Sequence, residues 1–176
     1  MKIVGIDASL NSTGICYINT ETNKTEFHII KPKLTKREQC HPLISYHSYE
    51  ATSDIDSKLQ GYLEVLNQLL KKINPDQVIL EEPVNARNSR ATISLSLLNG
   101  AIRALLILKC LQYKTVNVTH WKKEMVGNGA ADKDLIVYNF KKLKPEFEPY
   151  TTKAINDISD AYFIANYAKQ YSTIAS

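Results

Sequence analysis

The sequence predicts an α/β fold: a five-stranded mixed sheet, three antiparallel strands followed by two parallel ones, flanked by helices. Two observations predict it. The first 30 residues read as short strands joined by tight turns, and the chain then alternates helical spacing with short apolar strands, in the order β-β-β-α-β-α-β-α-α. Hairpins join only antiparallel neighbours, whereas strands separated by a full helix return parallel. With 176 residues, 44% of them hydrophobic, one core is expected, and residues 1–176 read as a single domain.

Residues 2–7, 13–19 and 24–30 are the strands of the opening meander, with Thr20-Glu21-Thr22-Asn23-Lys24 as the second turn. Residues 31–52 carry Pro32, Pro42 and two of the four histidines without a sustained period, and read as a long loop. Ile55, Leu59, Tyr62, Leu63, Leu66, Leu69 and Leu70 recur at helical spacing until Asn74-Pro75 closes the segment. A short buried strand, residues 77–82, follows. Residues 88–111 predict a long helix whose inward side holds Ile93, Leu97, Leu98, Ala101, Leu105 and Leu108. A fifth strand at 114–118, a basic segment "HWKKEMVGNGAADKD", and helices over 132–143 and 153–170 complete the chain.

Composition narrows the classes of function. Cys16, Cys40 and Cys110 are odd in number and lack C-x-x-C spacing, which argues against a disulfide framework or a zinc site. A formal charge of +4 permits a nucleic-acid partner without demanding one. The N-terminus runs straight into a strand, and no apolar run is read as long enough to span a bilayer, so no membrane partner and an intracellular, cytoplasmic location are expected.

The chemistry lies in the acids. Asp7 ends the first strand, and Glu81-Glu82 ends the first strand reached through a helix; functional groups gather outside the carboxyl ends of parallel strands. In "AINDISDAYFIA", Asp157 and Asp160 are three apart and share one helix face, beside an apolar face of Ile155, Ile158, Ala161 and Ala165. Each acid alone has a plain reading as a turn residue, a strand exit or a complement to the helix dipole. Together, Asp7, Glu81, Asp157 and Asp160 offer hard oxygen ligands for Mg²⁺, with Mn²⁺ as a substitute. Two such ions, roughly 3.5–4 Å apart, suit phosphodiester hydrolysis.

These residues carry a family resemblance. "GIDASLNSTG", "PDQVILEEPVNARNSRATISLSLLNGAIRA", "KKEMVGNGAADKD" and "DISDAYFIA" resemble the RuvC-type Holliday junction resolvases of the ribonuclease H-like superfamily, over nearly the whole chain. The resemblance implies a ribonuclease H-like fold, a homodimer, and Mg²⁺-dependent symmetrical nicking of four-way DNA junctions. Asp7, Glu81, Asp157 and Asp160 fall on the family's catalytic acids, Glu81 rather than Glu82 because the acid follows Pro-Asp and a short apolar strand in "PDQVILE". Asp7 is expected to bridge two ions. Residues 122–133 match a basic loop that approaches the DNA backbone, with Lys122, Lys123 and Lys133 attracting phosphate.

Two departures stand out. The bacterial members carry an aromatic residue just after the glutamate that stacks on a junction base, whereas this chain has Pro83-Val84. The 31–52 loop also exceeds that of a compact bacterial resolvase, and offers Tyr46 and Tyr49 as replacements. Both departures suit a phage-type or otherwise divergent member that takes forks and flaps as well as four-way junctions. Two alternatives are an actin-like ATP-binding protein, which the length and the absence of a G-x-x-x-x-G-K-[ST] loop oppose, and a non-catalytic binder of branched nucleic acid, which the intact set of four acids opposes. In the 88–111 helix, Leu95, Ile102 and Leu106 flank the inward stripe and are expected to join two subunits.

Overall fold

A computed structural model describes residues 1–50, 54–83 and 90–172. Strands β1 (Lys2–Asp7), β2 (Thr13–Asn19) and β3 (Lys24–Lys31) form the antiparallel meander. On the far side of β1, strands β5 (Gln77–Glu81) and β6 (Tyr113–Val116) add in parallel. The sheet has six strands rather than five, in the order β4-β3-β2-β1-β5-β6. The additional strand is β4 (Ile44–Ser48), which runs parallel to β3 as an edge, with Phe27 opposite Ile44 and Ile29 opposite Tyr46.

Residues 31–52 are therefore not a featureless loop. Besides β4 they contain a single helical turn, α1 (Lys36–Gln39), fixed by a capping box in which Thr35 and Glu38 satisfy each other's backbone N–H groups. An edge strand needs only half its side chains buried. In β4 only Ile44 is fully enclosed, and the rest of "ISYHS" reads as polar loop.

Alternation along the strands divides the core into two layers. Ile3, Cys16, Phe27, Ile29 and Ile79 face one side, covered by α4 (Val118–Val126), α5 (Lys133–Leu143) and α6 (Thr152–Ser172). Val4, Ile6, Ile15, Ile30, Val78 and Leu80 face the other, covered by α2 (Ile55–Ile73) and α3 (Arg90–Leu108). All three cysteines are free thiols.

Helix α6 lies directly across β1 and β2, and two glycines make this approach achievable. A Cβ on Gly5 would stand 2.5 Å from the Ala161 carbonyl oxygen and the Ala165 nitrogen, and one on Gly14 would collide with the Asp157 carbonyl. Ile155, Ile158, Ala161 and Ala165 are fully buried beneath the helix, as its apolar face predicts.

Helix α3 differs from its predicted orientation. Leu98 is fully buried, and so are Ile102 and Leu106, which are thereby removed from the subunit contact expected of them. Ile93, Leu97 and Leu108, expected inward, are 57%, 47% and 83% exposed. Apolar residues occur all round the helix, so spacing alone could not select its inner face. For the same reason the expectation about bilayer-spanning runs fails on length and composition: Ala91–Leu108 is long and apolar enough to cross a membrane, with 22% of that stretch buried inside the protein.

Candidate active site

Asp7 and Glu81 are brought together by strand register. Ile6 stands opposite Leu80 in the parallel pair, so the next residue of each strand places the two acids side by side. Alternation turns both toward the α6 face, since Asp7 follows Ile3 and Gly5 at period two and Glu81 follows Ile79. The turn after β1 closes without Asp7: the Ser9 N–H donates to Thr13 Oγ1 at 2.9 Å, and the Thr13 hydroxyl donates to the Ser9 carbonyl at 2.7 Å. Asp157 and Asp160 enter from α6, which the two glycines seat over β1 and β2.

The electrostatics reflect this crowding. Burial, followed by the charges of Asp160, Glu81 and Asp157, pushes Asp7 well above the usual carboxylate range, while Lys133 pulls it down. Asp160 is pushed up to about 7, chiefly by burial and then by Glu81, with Lys122 opposing and Asp157 adding to the rise. Burial also raises Glu81, against the Trp121 hydrogen bond and the Lys122 charge.

Each acid differs in its partners. Trp121 Nε1 donates to Glu81 Oε2 at 2.7 Å. The Ser12 hydroxyl donates to Asp157 Oδ2, and Asn156 Nδ2 donates to its Oδ1 at 3.2 Å. Asp160 Oδ1 is buried with no hydrogen-bond partner among the described residues. Glu82, by contrast, is exposed and accepts from Thr115 Oγ1 at 2.9 Å, outside the acid group.

A divalent cation fits this donor set. The oxygens are hard, three of the carboxyls resist ionisation where they stand, and an orphaned buried oxygen is what such an ion would satisfy. Among the described residues, no three acid, histidine or cysteine side chains stand ready to close on an ion. Trp121 and Ser12 hold Glu81 and Asp157 in place by the hydrogen bonds they donate.

The basic segment is less of a loop than expected. Lys122 and Lys123 lie on α4, and Lys133 opens α5, whose cap Asp132 accepts from the Leu135 N–H at 2.9 Å. Lys123 and Lys133 are exposed. Lys122 is half-buried, its ammonium donating to the Ala131 carbonyl at 2.9 Å. Of the two tyrosines offered as stacking residues, Tyr49 is buried, with its hydroxyl donating to the Leu10 carbonyl at 2.5 Å. Tyr46 stays half-exposed. Val84 lies outside the described residues.

Sequence reasoning missed Trp121 and Ser12. Trp121 is the single tryptophan, set in an otherwise polar basic segment and fully buried. A buried indole N–H needs an acceptor, and that was the available signal.

Residues 3–166 match the family model for Crossover junction endodeoxyribonuclease RuvC. A protein of that name from Helicobacter hepaticus is 25% identical over an alignment covering 94% of this chain and 80% of its own length. One from Aliarcobacter butzleri is 27% identical, covering 94% and 96%. Among solved structures, Thermus thermophilus RuvC in complex with Holliday junction substrate superposes with a TM-score of 0.68 at 13% identity, over 99% of this chain and 96% of that one.

Proposed function

This chain belongs to the crossover junction endodeoxyribonuclease RuvC family, with its ribonuclease H-like fold, and we propose that its four-acid site cuts four-way DNA junctions by Mg²⁺-dependent hydrolysis. It is a metal-dependent nuclease by family. The observation supporting the site assignment is the convergence of Asp7, Glu81, Asp157 and Asp160, from β1, β5 and α6, on one face of the sheet.

Asp7, Glu81, Asp157 and Asp160 would together hold the two ions. Two bound Mg²⁺ ions, replaceable by Mn²⁺, would lower the pKa of a water and offset charge on the scissile phosphate, leaving 5′-phosphate and 3′-hydroxyl ends. Trp121 orients Glu81 and Ser12 orients Asp157 through the hydrogen bonds they donate. Lys122 ties α4 to the segment leading into α5 through Ala131, while exposed Lys123 and Lys133 attract the DNA backbone without reading sequence.

Residues 1–176 act as one nuclease domain. Two copies pair through the outer stripe of α3, Ile93, Leu97 and Leu108, so that two sites cut strands of like polarity. DNA as substrate puts the work inside a cell, and the cytoplasm is the compartment we propose.

The test is incubation of the purified chain with labelled synthetic four-way, flap and duplex DNA in Mg²⁺ or EDTA. Paired cuts in the four-way junction are expected in Mg²⁺ alone. Tight junction binding without cutting in either Mg²⁺ or Mn²⁺ would overturn the assignment and favour a non-catalytic binder.

A further inference from the structure

The excursion between β3 and β4 builds something the four-acid site does not use. A cavity of about 290 Å³ opens between α1, β4 and the start of α6, and one of its walls is Asp157 itself. Beside Ser12, Thr35 and the paired Lys31 and Glu38, two groups line it. His41, Tyr46 and Tyr150 form an aromatic side, with the His41 ring 5.9 Å from Tyr46 and 4.7 Å from Tyr150 between centroids. Arg37 and Lys153 form a cationic side, and both are exposed.

These walls are held in place. Lys31 pairs with Glu38 at 2.6 Å, and Glu38 also closes the capping box with Thr35, so α1 is fastened to the end of β3. Lys31 is thereby neutralised, whereas neither Arg37 nor Lys153 has an acid partner among the described residues. Tyr46 is aimed by pairing: it sits opposite Ile29, at period two from buried Ile44, and so faces the α6 side of the sheet.

We propose that this cavity is a nucleotide subsite that holds one unpaired nucleotide of the DNA strand next to the scissile phosphate, its base against Tyr46 and Tyr150 and its phosphate between Arg37 and Lys153. Aromatic faces bind bases of any sequence, and unpaired cations attract phosphate. A cavity sharing Asp157 with the acid group lies within one nucleotide's reach of it. The subsite rests on the nuclease assignment above, and it supplies the base contact that Val84, lacking a ring, does not offer. Branched DNA provides the unpaired or readily unstacked nucleotide that intact duplex withholds, so the cavity also favours branch points.

The test uses the full chain. Junction affinity is measured in EDTA across a salt series for wild type, for the double variant Arg37→Ala with Lys153→Ala, and for a control pair, Lys33→Ala with Lys36→Ala, which removes the same charge from the same excursion outside the cavity. The cavity variant is expected to bind about tenfold more weakly, with a log–log salt slope smaller by about 0.7 for the one single-strand phosphate neutralised. The control pair should change both by much less. In parallel, abasic nucleotides are placed one at a time around the cut, in wild type and Tyr46→Leu. One position should weaken wild type about tenfold and Tyr46→Leu no further. The subsite is overturned if the cavity variant matches the control pair, or if every abasic position is additive with Tyr46→Leu, while wild type still cuts junctions. If wild type cuts no branched DNA in Mg²⁺, the nuclease assignment fails and the subsite falls with it.

Discussion

A carboxylate that is buried beside other carboxylates is unfavourable unless something shares its charge, and Asp7, Glu81 and Asp160 are all displaced from their ordinary titration in that direction. The four acids were legible in the sequence because each ends a strand or occupies one face of a helix, positions that a pattern of residues exposes. Their supports were not. Trp121 is 40 residues from Glu81 and Ser12 is 145 from Asp157, and nothing local links either pair. The indole donor gives a residue-scale prediction. Trp121→Phe keeps a ring against Phe163 but removes the N–H, leaving Glu81 Oε2 without that partner. The Mg²⁺ concentration for half-maximal junction cleavage should rise by about 10–100-fold, with far-ultraviolet circular dichroism unchanged. An unchanged Mg²⁺ requirement would reduce the hydrogen bond to a packing accident.

At the scale of elements, the position of α6 depends on the absence of two side chains. Gly14→Ala would drive a methyl into the Asp157 carbonyl and lift the helix that carries two of the acids. It should lower stability by about 1–3 kcal/mol in urea denaturation and reduce cleavage even where the protein remains folded. The β3–β4 edge, hidden in the sequence by its polar residues, carries a second element-scale signature. His28 Nδ1 lies 3.2 Å from His47 Nε2. Burial, followed by the His47 charge, lowers His28 to about 4 from an ordinary 6.5, outweighing the favourable Glu26 at 3.6 Å. His47 is lowered as well, by burial and by Lys72. The folded state therefore binds fewer protons than the unfolded state between these values. Stability is fully present above about 6.5 and is lost as pH falls toward about 4, by about 2–3 kcal/mol for His28. Urea midpoints measured over pH 4–7 should decline with falling pH more steeply in wild type than in His28→Gln; parallel curves would contradict the shift.

Across the whole molecule, the meander, the two parallel strands and the two-layer core follow from strand alternation and from the helices separating β1, β5 and β6 in the chain. The orientation of α3 did not follow, because a helix apolar on all sides gives no preferred inner face. Its exposed stripe of Ile93, Leu97 and Leu108 is the surface through which we expect two copies to meet. Leu97→Glu with Leu108→Glu should convert a dimer into a monomer in light scattering and separate the paired cuts in a junction, leaving single nicks. A wild-type monomer at micromolar concentration that still made paired cuts would remove the stripe from this role. If β1 ends in an acid in order to hold metal, Asp7→Asn should separate activity from stability. Its rate of four-way junction cleavage in Mg²⁺ and its metal-free thermal midpoint should be measured on the same preparation. Cleavage should fall by about 10²–10³ or more, while the midpoint holds or rises because a crowded buried charge has gone. Cleavage at the wild-type rate, or a loss of activity matched by a fall in the midpoint, would instead show Asp7 to be a structural residue.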